Sequence, residues 1–247
     1  MIWCIHGFLG SGDDWEPFRE RWEKSSGSAL RAIDLFDKSL EEQTPELWGA
    51  SFARSIATTD PGAILVGYSL GGRLVLQALL ARPDVFAGAV IVSAGLGVEG
   101  EVERQMRRVR DDAWAARFET ETWESVLDAW NGQPVFGGPA AAPRRAELDF
   151  DRGALATALR CWSPAVQKPV GSRIRELKLP LLWIAGERDG RYAEVARRAA
   201  DEAPDARLWI APGVGHRVPW EAAEEFGQRV ADFLATLASP TGAPGKN

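Results

Sequence analysis

The sequence predicts an α/β fold: a mostly parallel, doubly wound sheet carrying an inserted helical cap. Six short apolar runs are continuous rather than alternating, as expected for strands buried on both faces. Helical patterns separate them, which argues for strand–helix alternation. The alternation breaks once, where residues 96–178 carry helical patterns and no strand pattern.

Taken in order, Ile2-Trp3-Cys4-Ile5 is the first strand and runs into His6-Gly7-Phe8. A helix follows at 15–23, a strand at 29–33 and a helix at 46–57. The strand at 63–66 leads directly into Gly67-Tyr68-Ser69-Leu70-Gly71-Gly72 and the helix at 70–81. The strand at 89–92 precedes the insertion, whose Trp114, Trp123, Trp130 and Trp162 mark a cap over the carboxyl edge of the sheet. That edge is where open α/β sheets bind ligands. Strands at 181–185 and 208–210 and helices at 192–202 and 221–237 complete the fold. The core is therefore expected at 1–95 and 179–238, the cap at 96–178, and a disordered Pro/Gly-rich tail at 239–247.

Length and composition fit this plan. A chain of 247 residues suits one large α/β domain with an insertion. Its 45% apolar and 26% charged residues exclude a disordered or collagen-like chain. With 29 basic against 35 acidic residues, no bulk-basic nucleic-acid binder is expected. No apolar run approaches the ~18–20 residues that span a membrane. No basic region precedes the first strand, so no secretory signal is expected. The two cysteines, Cys4 and Cys161, stand in no CxxC pair, which suggests a reducing, cytoplasmic setting. Two histidines and two cysteines far apart predict no metal site, and no Walker or Rossmann loop is present to predict a nucleotide cofactor.

The chemistry concentrates at strand ends. Gly67-x-Ser69-x-Gly71 fits the nucleophile elbow, a sharp strand-to-helix turn that exposes the serine hydroxyl. A serine nucleophile needs a base. His216, in Gly213-Val214-Gly215-His216 after the last strand, is the candidate; a plain surface-loop histidine is the bland alternative. The acid is expected after Gly186, with Asp189 preferred and Glu187 second; a solvated turn residue or helix cap is the alternative. The backbone amides of Phe8 and Leu70 are the expected oxyanion donors, and His6 is expected to be structural. Arg73 lies four residues after Ser69 on the same helix face, where it suits a carboxylate-bearing substrate. The alternative is an arginine turned to solvent or to a structural aspartate. Of Arg104, Arg107, Arg108 and Arg110, most belong to a solvated helix face and one or two could face inward. Arg73, Arg107, Trp130 and Tyr68 are the expected substrate-binding residues.

These motifs resemble a known family, the 2-succinyl-6-hydroxy-2,4-cyclohexadiene-1-carboxylate synthases, menaquinone-pathway lyases of the α/β-hydrolase fold. The resemblance rests on His6-Gly7-Phe8, Gly67-Tyr-Ser-Leu-Gly-Gly-Arg73 and Gly186-Glu-Arg-Asp189. The cap carries the more specific part: Trp130-Asn-Gly-Gln-Pro-Val-Phe136, Leu159-Arg160 with Ala165-Val166-Gln167, and the arginine-rich stretch from Glu103 to Trp114. The chain departs from the family at Asp34-Leu35-Phe36-Asp37, where an Asp-x-x-Gly-His-Gly turn is usual. It also has Asp149-Phe150-Asp151 near the place of a cap arginine followed by asparagines, which leaves Arg144 and Arg145 as alternatives for that arginine.

The resemblance implies elimination of pyruvate from a small polycarboxylate, 2-succinyl-5-enolpyruvyl-6-hydroxy-3-cyclohexene-1-carboxylate, with Ser69, Asp189 and His216 assisting proton abstraction and no cofactor. Two other readings stay open on the residues. One is a serine hydrolase of a small ester, thioester or carbon–carbon bond. The other is a non-catalytic binding module, which would need a broken triad.

Overall fold

The computed structural model describes residues 1–36, 43–136 and 143–238, so the expected disordered tail lies outside the described residues. Six strands form one sheet: β1 (Ile2–Ile5), β2 (Leu30–Ile33), β3 (Ala63–Tyr68), β4 (Phe86–Val92), β5 (Leu181–Gly186) and β6 (Ala206–Ala211), in the order β2-β1-β3-β4-β5-β6. Every neighbouring pair is parallel. β3 and β5 are buried at every position, which is why they read as unbroken apolar runs, whereas the edge strands β2 and β6 expose residues.

Several boundaries differ from expectation by one or a few residues, and three of the differences have a visible cause. β3 runs two residues past Val66, because Gly67 and Tyr68 pair with Ile91 and Val92. β4 starts at Phe86, where an exposed Ala87 and a register shift opposite Ala63/Ile64 hide the strand pattern. The first helix is divided: a 3₁₀ segment at Gly12–Phe18 contains Pro17, which lacks an amide hydrogen, and α1 (Arg19–Ser26) follows it.

Helices α2 (Pro45–Thr59), α3 (Leu70–Ala81) and α7 (Gly190–Glu202) cover one face of the sheet, through Ile56, Leu74 and Ala196 among others. α1 and α9 (Ala223–Ala238) cover the other, where Trp22, Phe226 and Val230 meet Cys4, Val66 and Val90. Removing side chains of this size from water contributes about 2–3 kcal/mol each. Between β4 and β5 lie α4 (Glu101–Thr120), α5 (Trp123–Asn131) and α6 (Arg152–Cys161), and no strand among the described residues. Their apolar faces are continuous with the first core: Phe118, Trp123, Leu155 and Trp162 join the cluster that holds Leu74 and Ile91. The chain then passes a 3₁₀ turn at Gly171–Glu176 into β5, and a short α8 (Val218–Glu221) precedes α9. No described helix is long and apolar enough to cross a membrane.

β1 neighbours both β2 and β3, so the winding direction reverses there. A crevice is expected at the carboxyl ends of such a pair. Phe8 follows β1 at this point and Ser69 follows β3.

Candidate active site

Ser69 sits between β3 and α3 with φ 51° and ψ −108°, a left-handed conformation that costs a non-glycine residue about 1–3 kcal/mol. Its surroundings hold it there. The amide donates to Val92 O at 2.8 Å, and its carbonyl accepts from Arg73 N at 3.1 Å. The flanking glycines permit the turn: a Cβ on Gly71 would lie 2.1 Å from Ile5 O, and one on Gly67 would lie 2.6 Å from Gly71 O.

His216 leaves the loop after β6 and Asp189 the turn after β5, and both are buried. His216 Nδ1 lies 2.5 Å from Asp189 Oδ2, and its Nε2 lies 3.0 Å from Ser69 Oγ. An ionised carboxylate only accepts, so Nδ1 carries the proton and Nε2 presents its lone pair to the serine hydroxyl. Gly186 lets the acid turn and the histidine loop touch, since a Cβ there would lie 2.0 Å from Gly215 O. Glu187 is exposed and accepts from Gly213 N at 2.8 Å, so it shapes the histidine loop and leaves Asp189 to contact the ring. Tyr192 packs against His216 at a centroid distance of 4.7 Å.

Phe8 and Leu70 line the same cavity as Ser69. Among the described residues neither amide is used in a turn or cap bond. Leu9, with φ 58°, fixes the turn that presents Phe8.

His6 is buried behind this turn. It donates from Nδ1 to Gly7 O at 2.7 Å, and Nε2 accepts from Leu35 N at 2.9 Å. A second ring proton would face the Leu35 N–H, and burial pulls the His6 pKa down to about 4, against a smaller upward pull from the Gly7 carbonyl. The unfolded chain then takes up a proton near pH 6.5 that the folded chain resists until about pH 4. Stability from this residue is whole above pH ~6.5 and falls by roughly 3 kcal/mol as pH drops towards 4. Urea unfolding of wild type and His6→Gln across that range is expected to show a shallower slope in the variant; equal slopes would refute the assignment.

The main cavity has a volume of about 460 Å³. Arg73 lies on its floor, 9% exposed, giving Nη1 to Gln167 Oε1 at 3.0 Å and Nη2 to Trp162 O at 2.7 Å. It is turned neither to solvent nor to a structural aspartate: both acceptors are neutral, and no carboxylate pairs with it among the described residues. Burial, and secondarily Arg107, draws its pKa down to about 10. Arg107 also lines the cavity and is paired with buried Asp111 at 2.7 Å, whose carboxylate accepts from Ser163 Oγ at 2.6 Å. Arg110 and Arg191 line it as well. Arg104 instead donates to Val98 O, and Arg108 is exposed. Trp130 forms the wall next to Phe8, at a centroid distance of 4.7 Å.

Tyr68 departs from expectation. Its side chain belongs to the core on the α1/α9 face and packs on Trp220, so it lines a smaller neighbouring cavity rather than the one holding Ser69. Successive strand side chains point to opposite faces, and the last residue of β3 points away from the cap. Sequence reasoning passed over Tyr192, Arg191, Asp111 and Trp162. The first two directly follow the Asp189-Gly190 turn, which is the one local signal that could have marked them.

A parallel sheet with a strained serine elbow, a buried histidine–aspartate pair and a helical insertion defines a class. The chain belongs to the Alpha/beta hydrolase family, whose model matches residues 4–231. Within that class it belongs with the 2-succinyl-6-hydroxy-2,4-cyclohexadiene-1-carboxylate synthases. It is 31% identical over 242 residues to the protein of that name from Salmonella typhimurium, covering 94% of this chain and 91% of the relative. The Serratia proteamaculans synthase is 28% identical over 243 residues, covering 95% and 92%. In fold, the chain is similar to MenH from S. aureus, with a TM-score of 0.85, 22% identity, and coverage of 97% of this chain and 95% of that one.

Proposed function

We propose that the protein eliminates pyruvate from 2-succinyl-5-enolpyruvyl-6-hydroxy-3-cyclohexene-1-carboxylate to give 2-succinyl-6-hydroxy-2,4-cyclohexadiene-1-carboxylate, a step of menaquinone biosynthesis. The observation that carries this reading is Arg73: a buried guanidinium bonded, among the described residues, to neutral oxygens alone, on the floor of the cavity that Ser69 and His216 open onto. A neutral ester gives such a cation no counter-charge, whereas a polycarboxylate does. The names of the relatives above support the same product.

In this reading Ser69, His216 and Asp189 act as one base. His216 Nε2 takes the Ser69 hydroxyl proton as Ser69 Oγ takes the proton from the ring carbon next to the succinyl ketone. The electron pair of that C–H bond passes into the enolate, whose oxygen accepts from the Phe8 and Leu70 amides. The enolate then collapses through the ring double bond, forming the conjugated diene and breaking the bond to the enolpyruvyl oxygen. The departing enolate takes a proton from Ser69 and becomes pyruvate, and the proton on His216 returns to Ser69. Asp189 holds the imidazole in the productive tautomer. Arg73 and Arg107 hold carboxylates, and Trp130 lines the cavity wall. The chemistry calls for no cofactor, and the reading implies a small-molecule partner and a cytoplasmic setting.

Incubation of purified protein with the enolpyruvyl substrate, following pyruvate with a coupled dehydrogenase, is expected to show one pyruvate per substrate consumed. Hydrolysis of p-nitrophenyl esters without any pyruvate release would instead favour the serine-hydrolase reading.

A further inference from the structure

Beside the main cavity lies a smaller one of about 30 Å³, divided from it by Phe8, Trp130 and Phe136, which line both. The residue directly after His216, Arg217, forms part of its wall. The Arg217 side chain is buried, at 5% exposure. Its guanidinium stacks 4.1 Å from the centre of the Phe136 ring, and Nη2 donates to Asn131 Oδ1. Nη1 is buried and has no partner among the described residues.

The charges around it do not cancel. Glu221 accepts from the Arg217 amide at 3.2 Å, but its side chain is committed to Gly215 N and Arg188. Arg145, on the same cavity wall, is neutralised by Asp14 at 2.8 Å, and its own Nε is also buried without a partner. Asp14 also accepts from Ser11 N. Two arginines that line this one small space each keep a buried N–H without a partner among the described residues, and Glu221, the carboxylate whose charge bears on Arg217, is shared with Arg188. A buried cation left without a counter-ion is costly, so such a space favours an anion. A water-sized centre needs ~10–15 Å³, which gives room here for about two, matching the two oxygens of one carboxylate.

We propose that this cavity is a carboxylate subsite in which Arg217 Nη1 holds a carboxylate oxygen and Arg145 Nε supplies a second donor. The carboxylate comes either from an arm of the substrate or from a free small acid such as the released 2-oxo acid. The substrate-arm form rests on the proposed reaction; the site itself does not.

Formate is the probe, being a bare carboxylate. Trp130 and Trp220 line the cavity, so tryptophan fluorescence reports its filling. Wild type is expected to give a saturable change with formate. Arg217→Gln should weaken formate by at least about tenfold, the loss of one charge-assisted bond. Arg217→Lys retains the charge without the fork and should weaken it several-fold, which keeps the comparison open if the glutamine variant does not fold. Trp220→Phe should diminish the signal without changing the affinity. No saturable formate response, or an affinity unchanged in both Arg217 variants, would overturn the site. KM for the enolpyruvyl substrate separates the two sources. A raised KM with little change in kcat in Arg217→Gln assigns a substrate arm, and an unchanged KM with pyruvate competing against formate assigns a free acid. Formate binding does not depend on pyruvate elimination, so failure of the proposed reaction leaves this test readable.

Discussion

Ser69→Ala is expected to lower kcat for pyruvate release by roughly 10³–10⁶-fold, and His216→Ala by a similar factor, because residues that act as one base fail together. The expectation follows from geometry. Among the described residues, Ser69 Oγ is the group that stands at the cavity and against His216 Nε2, at 3.0 Å. Asp189→Asn retains the shape but alters the partner of Nδ1, and should cost about 10⁴-fold by favouring the wrong tautomer. The double variant Ser69→Ala/His216→Ala should be hardly slower than either single variant. Stopped-flow or coupled pyruvate assays on variants with unchanged thermal transitions make the comparison. A Ser69→Ala protein retaining more than about a tenth of wild-type kcat would assign the proton abstraction to His216 acting alone.

How much of this was legible in the sequence differs from residue to residue. The elbow was, because its requirement is local: Gly67 without a Cβ lets β3 turn tightly against the start of α3, and Gly71 without one lets α3 approach the Ile5 carbonyl. His216 was, because only two histidines exist, and His6 ends the first strand. Asp189 against Glu187 could be ranked from the turn but was separated only by the fold, where Glu187 turns to the Gly213 amide. Arg73 followed from i,i+4 spacing on α3, yet its neutral partners, Gln167 and the Trp162 carbonyl, lie about ninety positions away in the chain. The rest of the cavity wall depends on how α4–α6 lean over the sheet. Periodicity tells which face of a helix is apolar, and not which neighbour it meets. That is why Arg217 and Tyr192 went unmarked, while Tyr68, expected among the substrate-binding residues, lies at the smaller cavity by the alternation of its strand. The division of the first helix at Pro17 was readable in principle, since proline removes a donor.

Arg73→Ala is expected to reduce kcat/KM for pyruvate release by about 10–100-fold, the loss of one charge-assisted bond of roughly 1.5–3 kcal/mol. The substitution also removes the donors to Gln167 and Trp162, so a general loosening of the cavity has to be told apart from loss of a substrate contact. Two comparisons do this. Any hydrolysis of a p-nitrophenyl ester by the same sample would, on the proposed assignment, use Ser69, His216 and the Phe8 and Leu70 amides but offer Arg73 no carboxylate, so it should change little. Arg73→Lys restores a positive charge but not the paired, planar donors, and should recover only part of the lost pyruvate release. Collapse of the floor would instead lower both activities together and would not be relieved by lysine. Equal losses in the two assays, or no loss of pyruvate release, would remove the argument that this buried cation marks an anionic substrate. An ester loss near unity with a tenfold or greater loss of pyruvate release would locate the selectivity between lyase and hydrolase chemistry in the charge of the floor, since the serine, histidine and aspartate are common to both.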